Sequence, residues 1–256
     1  MTGLVWAEKK QIKADYSKYL GKDYQYRSDR FGLQVQNHIS PMELLIQIFL
    51  DFPINCLIGK REALNIPLFG KLCDPQWNIL VGRDTRDSTQ IRDKVIKDIE
   101  DRQTAAEKGL TTPVFIFPEG ATTNGTSVLT FKRGAFASLK AVRPSYAKIN
   151  SYFGVSACHG DATSLFAYCF LCILAGPWTY VRFDMPVFEP NEFFWKNHWD
   201  GKEEKWVAYA RAVQQIIAEN GGMTVSKNKL EDKVSYKMLV RGSAKSSDYS
   251  KHQKSC

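Results

Sequence analysis

The stretch FPEGATTNGTSVLTFKRGAF, residues 117–136, decides how this chain is read. Pro113 to Phe117 before it has the composition of a buried strand, and Pro118-Glu119-Gly120 is the turn that ends the strand. The loop beyond carries Thr122, Thr123, Asn124, Gly125 and Thr126. Lys132-Arg133-Gly134 then opens a segment expected to be helical to Lys140. Backbone amides, hydroxyls and two cations at a helix start make a cradle for a phosphate. A polar connecting loop with a basic face has the same composition, and the residues alone leave both readings open.

Working outward, Gly32 to Gln36 reads as a short strand delivering Asn37-His38. Ser40-Pro41 opens a helix, and Glu43 completes a Ser-x-x-Glu capping box. Leu44, Leu45, Ile48 and Phe49 follow at helical spacing. The chain has only 4 histidines, and His38 has the most informative context. An imidazole between a strand end and a helix start, with a carboxylate five residues on, is placed to accept a substrate proton. Equally, His38 packs and Glu43 only caps its own helix. Trp77 to Val81 is strand-like and delivers Arg83, by itself an ordinary surface charge.

The rest of the chain alternates strands and helices. A first helix is expected over Val5 to Leu20, and a second from Asp87-Ser88 to near Gly109. Val142 to Ile149 and Tyr180 to Phe183 read as extended, and a long amphipathic helix runs from about Glu203 to Asn220. The apolar run Leu165 to about Trp178 reads as a core or interfacial helix. Such alternation predicts an α/β fold, a mixed sheet flanked by helices, with working residues at strand ends. The expected organisation is an N-terminal helical segment over 1–31, one domain over 32–242, and a polar basic tail over 243–256.

Composition narrows the function classes. The chain has 256 residues, 44% hydrophobic and 24% charged, which suits one large globular domain and excludes disordered and fibrous classes. The net charge of +8 resides at the two ends, while residues 31–222 balance. Basic ends suit an anionic lipid surface or an acidic partner subunit; a nucleic-acid-binding domain would line one folded face, so no nucleic-acid partner is expected. The 6 cysteines are scattered, and the Cys169-x-x-Cys172 pair lies in an apolar run where two core residues are expected and no metal. The start of the chain does not read as a secretory signal, and no run reaches the roughly 18–20 apolar residues of a spanning helix.

Together these pieces resemble the glycerolipid acyltransferases of the phosphate acyltransferase superfamily, and within it the eukaryotic lysophospholipid acyltransferase branch. Asn37-His38-Ile39-Ser40-x-x-Glu43 is similar to the first motif, a His and an acid separated by four residues. Pro67-Leu68-Phe69-Gly70 and the strand ending in Arg83 resemble the second. Phe117 to Gly125 with Phe131 to Phe136 is very similar to the third, Val142-Arg143-Pro144 to the fourth, and Pro186 to Pro190 to the segment after it.

The resemblance implies a single acyltransferase-type domain that moves a fatty acyl group from acyl-CoA, as co-substrate, to a hydroxyl of a lysophospholipid or glycerol phosphate. No cofactor and no metal are implied. His38 would be the general base, oriented by Glu43, a contribution worth roughly 10²–10⁴ in rate. Arg83, Glu119, Gly120, Thr122, Lys132 and Arg133 would place the acceptor and its phosphate. A peripheral or monotopic position on the endoplasmic reticulum or a mitochondrial membrane is implied, with Leu165–Trp178 in the membrane face. Glu43 stands where the family's acid is nearly always Asp, and the 37 residues before His38 hold no membrane helix. These departures and the basic ends keep a second reading open: a catalytically weakened accessory subunit of a membrane protein complex that still holds phospholipid.

Overall fold

The computed structural model describes residues 4–26, 30–51, 53–60, 78–81, 89–152, 165–174, 176–228, 230–240 and 242. A seven-stranded mixed sheet organises them, in the order β1-β8-β7-β2-β5-β3-β4. At its centre β2 (Leu33–Gln36) pairs in parallel with β5 (Val114–Ile116) on one side and β7 (Arg143–Ser151) on the other. The parallel set continues from β5 through β3 (Cys56–Lys60) to β4 (Ile79–Val81). Beyond β7 the direction reverses, with β8 (Trp178–Asp184) antiparallel to β7 and β1 (Leu4–Gln11) parallel to β8.

The β1 strand corrects the expected helix over Val5 to Leu20. Its backbone pairs with β8 from Trp6 opposite Thr179 to Gln11 opposite Asp184, and only Ser17–Leu20 (α1) is helical. The mixture of charge and apolar residues in this segment suits a sheet edge, where Glu8, Lys9 and Lys10 deter further pairing. Residues 4–11 are thus part of the sheet and not a helical appendage to it.

Alternation along the central strands separates two faces. Leu33 and Val35 join a core with α3 (Thr89–Glu107) and α6 (Lys205–Gly221), whose Val213, Ile216 and Ile217 are buried there. Gly32 allows α3 its close approach: a Cβ at this position would come within 2.1 Å of the Gln103 carbonyl oxygen. The other face is covered by α2 (Glu43–Leu50) and α4 (Leu165–Leu174), which share a smaller cluster of Ile39, Ile46, Tyr168, Cys172, Trp178 and Tyr180. Cys172 is therefore a core residue, as expected; Trp178 is not helical but starts β8, after Gly176-Pro177.

The inward side of α2 is largely polar. Glu43, Ile46 and Gln47 are its buried residues, while Phe49 is 84% exposed. Glu43 and Gln47, with Asp51 at the helix end, recur every four residues and form a polar stripe facing the sheet. Below them lie the buried polar side chains of Gln34 and Gln36 on β2, Ser145 on β7, and Tyr180, Arg182 and Asp184 on β8. Burial of so many polar groups is tolerable because they bond one another. Arg182 donates to both oxygens of Asp51 at 2.7 Å and to Asp184, and Gln34 bridges Asp184 and Ser145.

Five further elements lie among the described residues. A 3-10 turn at Arg133–Ala135 replaces the helix expected from Gly134 to Lys140. Helices α5 (Glu192–His198) and α7 (Leu230–Val240) have no counterpart in the sequence reading. Two short strands, β6 (Ser127–Val128) and β9 (Thr224–Val225), tie the loop after β5 to the segment after α6. The 243–256 tail lies outside the described residues.

Candidate active site

Because β2 and β5 are parallel neighbours, the loops after Gln36 and after Ile116 emerge at the same end of the sheet. These loops carry His38 and Glu119, and they are tied by backbone and side chain. The His38 N–H donates to Glu119 Oε1 at 2.8 Å, and Thr123 N–H donates to the His38 carbonyl at 2.6 Å. Asn37 bonds to the Ala147 backbone of β7, which completes the anchoring on the other side.

The imidazole is held as firmly as the backbone. Its Nδ1 lies 2.6 Å from Glu43 Oε2, and its ring stacks on Phe117 with centroids 4.0 Å apart and planes 18° apart. The side chain of His38 is 16% exposed and that of Glu43 is wholly buried. With Nδ1 turned to the carboxylate, Nε2 is the ring nitrogen left to meet a ligand.

Glu43 makes both contacts that its spacing allowed. The same Oε2 accepts from the backbone N–H of Ile39 at 2.7 Å and of Ser40 at 3.0 Å, which is the capping contact. Its Oε1 accepts from Gln36 Nε2 at 2.9 Å and from the Tyr180 hydroxyl at 3.1 Å. The Ser40 hydroxyl instead accepts from Met42 N–H and bonds to Tyr168 of α4.

Glu119 is buried, and its two oxygens serve His38 N–H and Leu129 N–H. Burial pushes its carboxyl up to about 8; the two backbone bonds oppose that shift and the nearby Glu43 adds to it. Through these two bonds Glu119 ties the His38 loop to the backbone at Leu129. Gly120 turns the chain at a φ of +68°, and the Lys132 ammonium lies 2.5 Å from where a Cβ on Gly120 would be. The hydroxyl and carbonyl of Thr122 accept from Lys233 on α7, a cation that nothing in the local sequence connects to this loop. Arg133, half exposed, sits 3.9 Å from Glu204 at the start of α6. Arg83 and the Pro67–Gly70 segment lie outside the described residues. The Val142 and Pro186–Pro190 segments pair through a bridge between Val142 and Phe188.

A cavity of about 200 Å³ lies at the other end of the sheet, lined by Lys9, Asp51, Asn55, Arg143, Arg182 and Asp184 among others. It does not include His38 or the 119–123 loop.

Comparison with known proteins places the chain in a family. The acyltransferase family profile matches residues 18–149, just over half of the chain, and spans both loops and the His38–Glu43 pair. The chain belongs to the acyltransferase family. This is the PlsC-like glycerolipid acyltransferase superfamily that its motifs resemble. The lysophospholipid acyltransferase LPEAT1 of Arabidopsis thaliana is 29% identical over 218 residues, covering 84% of this acyltransferase chain and 50% of that protein. Glycerol-3-phosphate acyltransferase 3 of Mus musculus is 27% identical over 206 residues, 78% of this chain and 42% of that protein. The chain thus spans about half the length, or less, of these curated relatives. Among solved structures, the 1-acyl-sn-glycerophosphate acyltransferase PlsC of Thermotoga maritima aligns over 84% of this chain and 71% of its own, at 16% identity and a TM-score of 0.46.

Several residues of this candidate site were not legible locally. Tyr180, Gln36 and Gln47 complete the surroundings of Glu43, and Lys233 reaches Thr122 from more than a hundred residues away. One signal was available for the first group: Tyr180, Arg182 and Asp184 alternate on a strand, and Glu43, Gln47 and Asp51 recur at helical spacing. Two polar stripes of matching period mark two faces meant for each other.

Proposed function

We propose that this chain transfers an acyl group from acyl-CoA to a hydroxyl of a lysophospholipid or glycerol phosphate, with His38 as general base. The observation that carries the reading is the His38–Glu43 pair at 2.6 Å, aimed from the end of β2 beside the 119–123 loop. As the acceptor hydroxyl attacks the thioester carbonyl, its proton passes to Nε2 of His38. The carbon–sulfur bond then breaks, the ester carbon–oxygen bond remains, and the proton leaves with the CoA thiol. Glu43 accepts from Nδ1–H throughout and stabilises the imidazolium that forms. Lys132, Thr122 and Lys233 gather at the loop next to His38 and supply cations and a hydroxyl for the acceptor's phosphate. Arg83, by the resemblance, joins them.

The reading includes a membrane surface. The outward side of α2 carries Phe49, 84% exposed, and α4 exposes Phe170, Leu171 and Leu174. Both helices pack on the same cluster, and no helix among the described residues is long and apolar enough to cross a membrane. Large exposed apolar side chains on two helices that cover the same side of the sheet suit the boundary between headgroups and acyl chains.

The test is CoA release from acyl-CoA by the purified chain in lipid, against a panel of lysophospholipids and glycerol 3-phosphate. Release that needs both an acceptor and His38 supports the proposal and identifies the acceptor class. No release by folded protein across the panel, or release unchanged in His38→Ala, refutes it.

A further inference from the structure

A catalytic imidazole must present a bare nitrogen to its substrate, so its single proton in the neutral form must reside on the other one. The buried network behind Glu43 contains a group that dictates this choice from a distance. Arg182 is 1% exposed, and a guanidinium can only donate. It donates through Nη1 to Gln47 Oε1. That contact settles which way the Gln47 amide faces, since its nitrogen would meet a donor if the group were turned over. The Gln47 nitrogen must then be the end that faces Tyr180, and it donates to the Tyr180 hydroxyl at 3.0 Å.

The Tyr180 oxygen also receives Gln36 Nε2 at 2.8 Å. A phenol has one hydrogen and accepts at most two, so with two amide donors on the oxygen its hydrogen has one place to go, Glu43 Oε1 at 3.1 Å. Complete burial holds the phenol in its protonated form, so the donor is present at every ordinary pH. Glu43 thus meets donors at both oxygens and has no proton of its own to give. Its partner at Oε2 must be an N–H, which places the proton on His38 Nδ1 and leaves the lone pair on Nε2.

We infer that Tyr180, Gln47 and Arg182 are positioning residues of the acyltransferase site, forming a one-way chain of hydrogen bonds that assigns the proton of His38 to Nδ1. The chain runs Arg182 to Gln47 to Tyr180 to Glu43, and each link takes its direction from the one before. The same links explain why a glutamate works in the first motif. Its carboxylate reaches past the capping amides to the Tyr180 hydroxyl and the Gln36 amide. The catalytic consequence rests on the proposed function, whereas the proton assignment does not.

The experiment is ¹⁵N NMR of the histidine-labelled full chain, with the His38 signals assigned by His38→Ala. The ring-nitrogen shifts report the tautomer of the neutral imidazole directly. The wild type is expected to show Nδ1 protonated and Nε2 bare. Tyr180→Phe deletes one of the two donors to Glu43 Oε1 and leaves only Gln36 there, and Gln47→Glu reverses the chain, because a carboxylate at that position accepts the Tyr180 hydrogen. In both variants the His38 shifts move toward a mixture of tautomers, and kcat falls about tenfold while KM for each substrate changes less than about twofold. A purely structural role lowers stability and leaves the shifts of the folded fraction unchanged. Should Tyr180→Phe fail to fold, Gln47→Glu carries the test. His38 shifts identical to wild type in a folded variant overturn the inference, as does a wild type with Nε2 protonated. Altered shifts in a protein without turnover sink the proposed activity and leave the proton assignment standing.

Discussion

Replacing Glu43 by Gln swaps one carboxylate oxygen for an amine at a site that receives five donors. Oxygen Oε2 serves His38 Nδ1, Ile39 N–H and Ser40 N–H, and Oε1 serves Gln36 and Tyr180. The less costly orientation keeps the remaining oxygen at the first position and turns the amine toward Gln36 and Tyr180. Two buried donors then face a third. Each unsatisfied buried group costs about 1–3 kcal/mol, and a flip of Gln36 relieves part of this, so the expected loss is about 2–4 kcal/mol. For a domain of this size that lowers Tm by about 4–16 °C. Activity suffers separately, because a neutral amide stabilises no imidazolium; kcat/KM should fall by about 10² or more. Glu43→Asp keeps the charge but withdraws the carboxylate by one methylene, about 1.5 Å, and the helix start fixes where the shorter side chain begins. It cannot reach both His38 and Tyr180, so turnover should fall and not rise, by up to about 10². Thermal unfolding and CoA release on the same preparations check both variants. A Tm for Glu43→Gln within about 1 °C of wild type, or full turnover in Glu43→Asp, would refute the reasoning from this network.

Two further outcomes follow from other parts of the molecule. The Glu119 carboxyl, pushed up to about 8 by burial, binds its proton more tightly folded than unfolded. Stability from this group is therefore complete below about pH 4.5 and is lost as pH rises through about 8; urea unfolding should show that decline, and Glu119→Gln should flatten it. Phe170→Ser with Leu174→Ser removes two exposed apolar side chains from α4. Sedimentation with phospholipid vesicles should show binding weakened about tenfold or more, with Tm unchanged, and undiminished binding would count against the membrane face.

Much of this site was legible before any coordinates. The strand endings at Gln36 and Ile116, the turn at Pro118-Glu119-Gly120 and the His38–Glu43 spacing are local features, set by residues within a few positions of one another. Local pattern also placed β7, β8 and the long α6, because their apolar periods are long enough to be unambiguous. It failed at β1, where an edge strand carries charge and gains its structure from hydrogen bonds to residues 178–184. Capping box and helical spacing located α2 but left open which side of it faces inward. Hydrophobicity alone does not say which side of a helix faces inward when the opposite side carries a polar stripe with partners.

The chemistry of the two loops was thus determined by sequence: which residues could act, and in what order along the chain. Only the tertiary structure decided their partners. Glu43 caps and orients at once because Oε2 lies within reach of three donors, a coincidence of geometry that spacing cannot express. Glu119 joins two segments because burial directs both its oxygens to backbone amides, at His38 and at Leu129. The proton on His38 is governed from Arg182, 144 positions along the chain, because hydrogen-bond direction passes between strands and helix, and sequence order does not record which strands become neighbours.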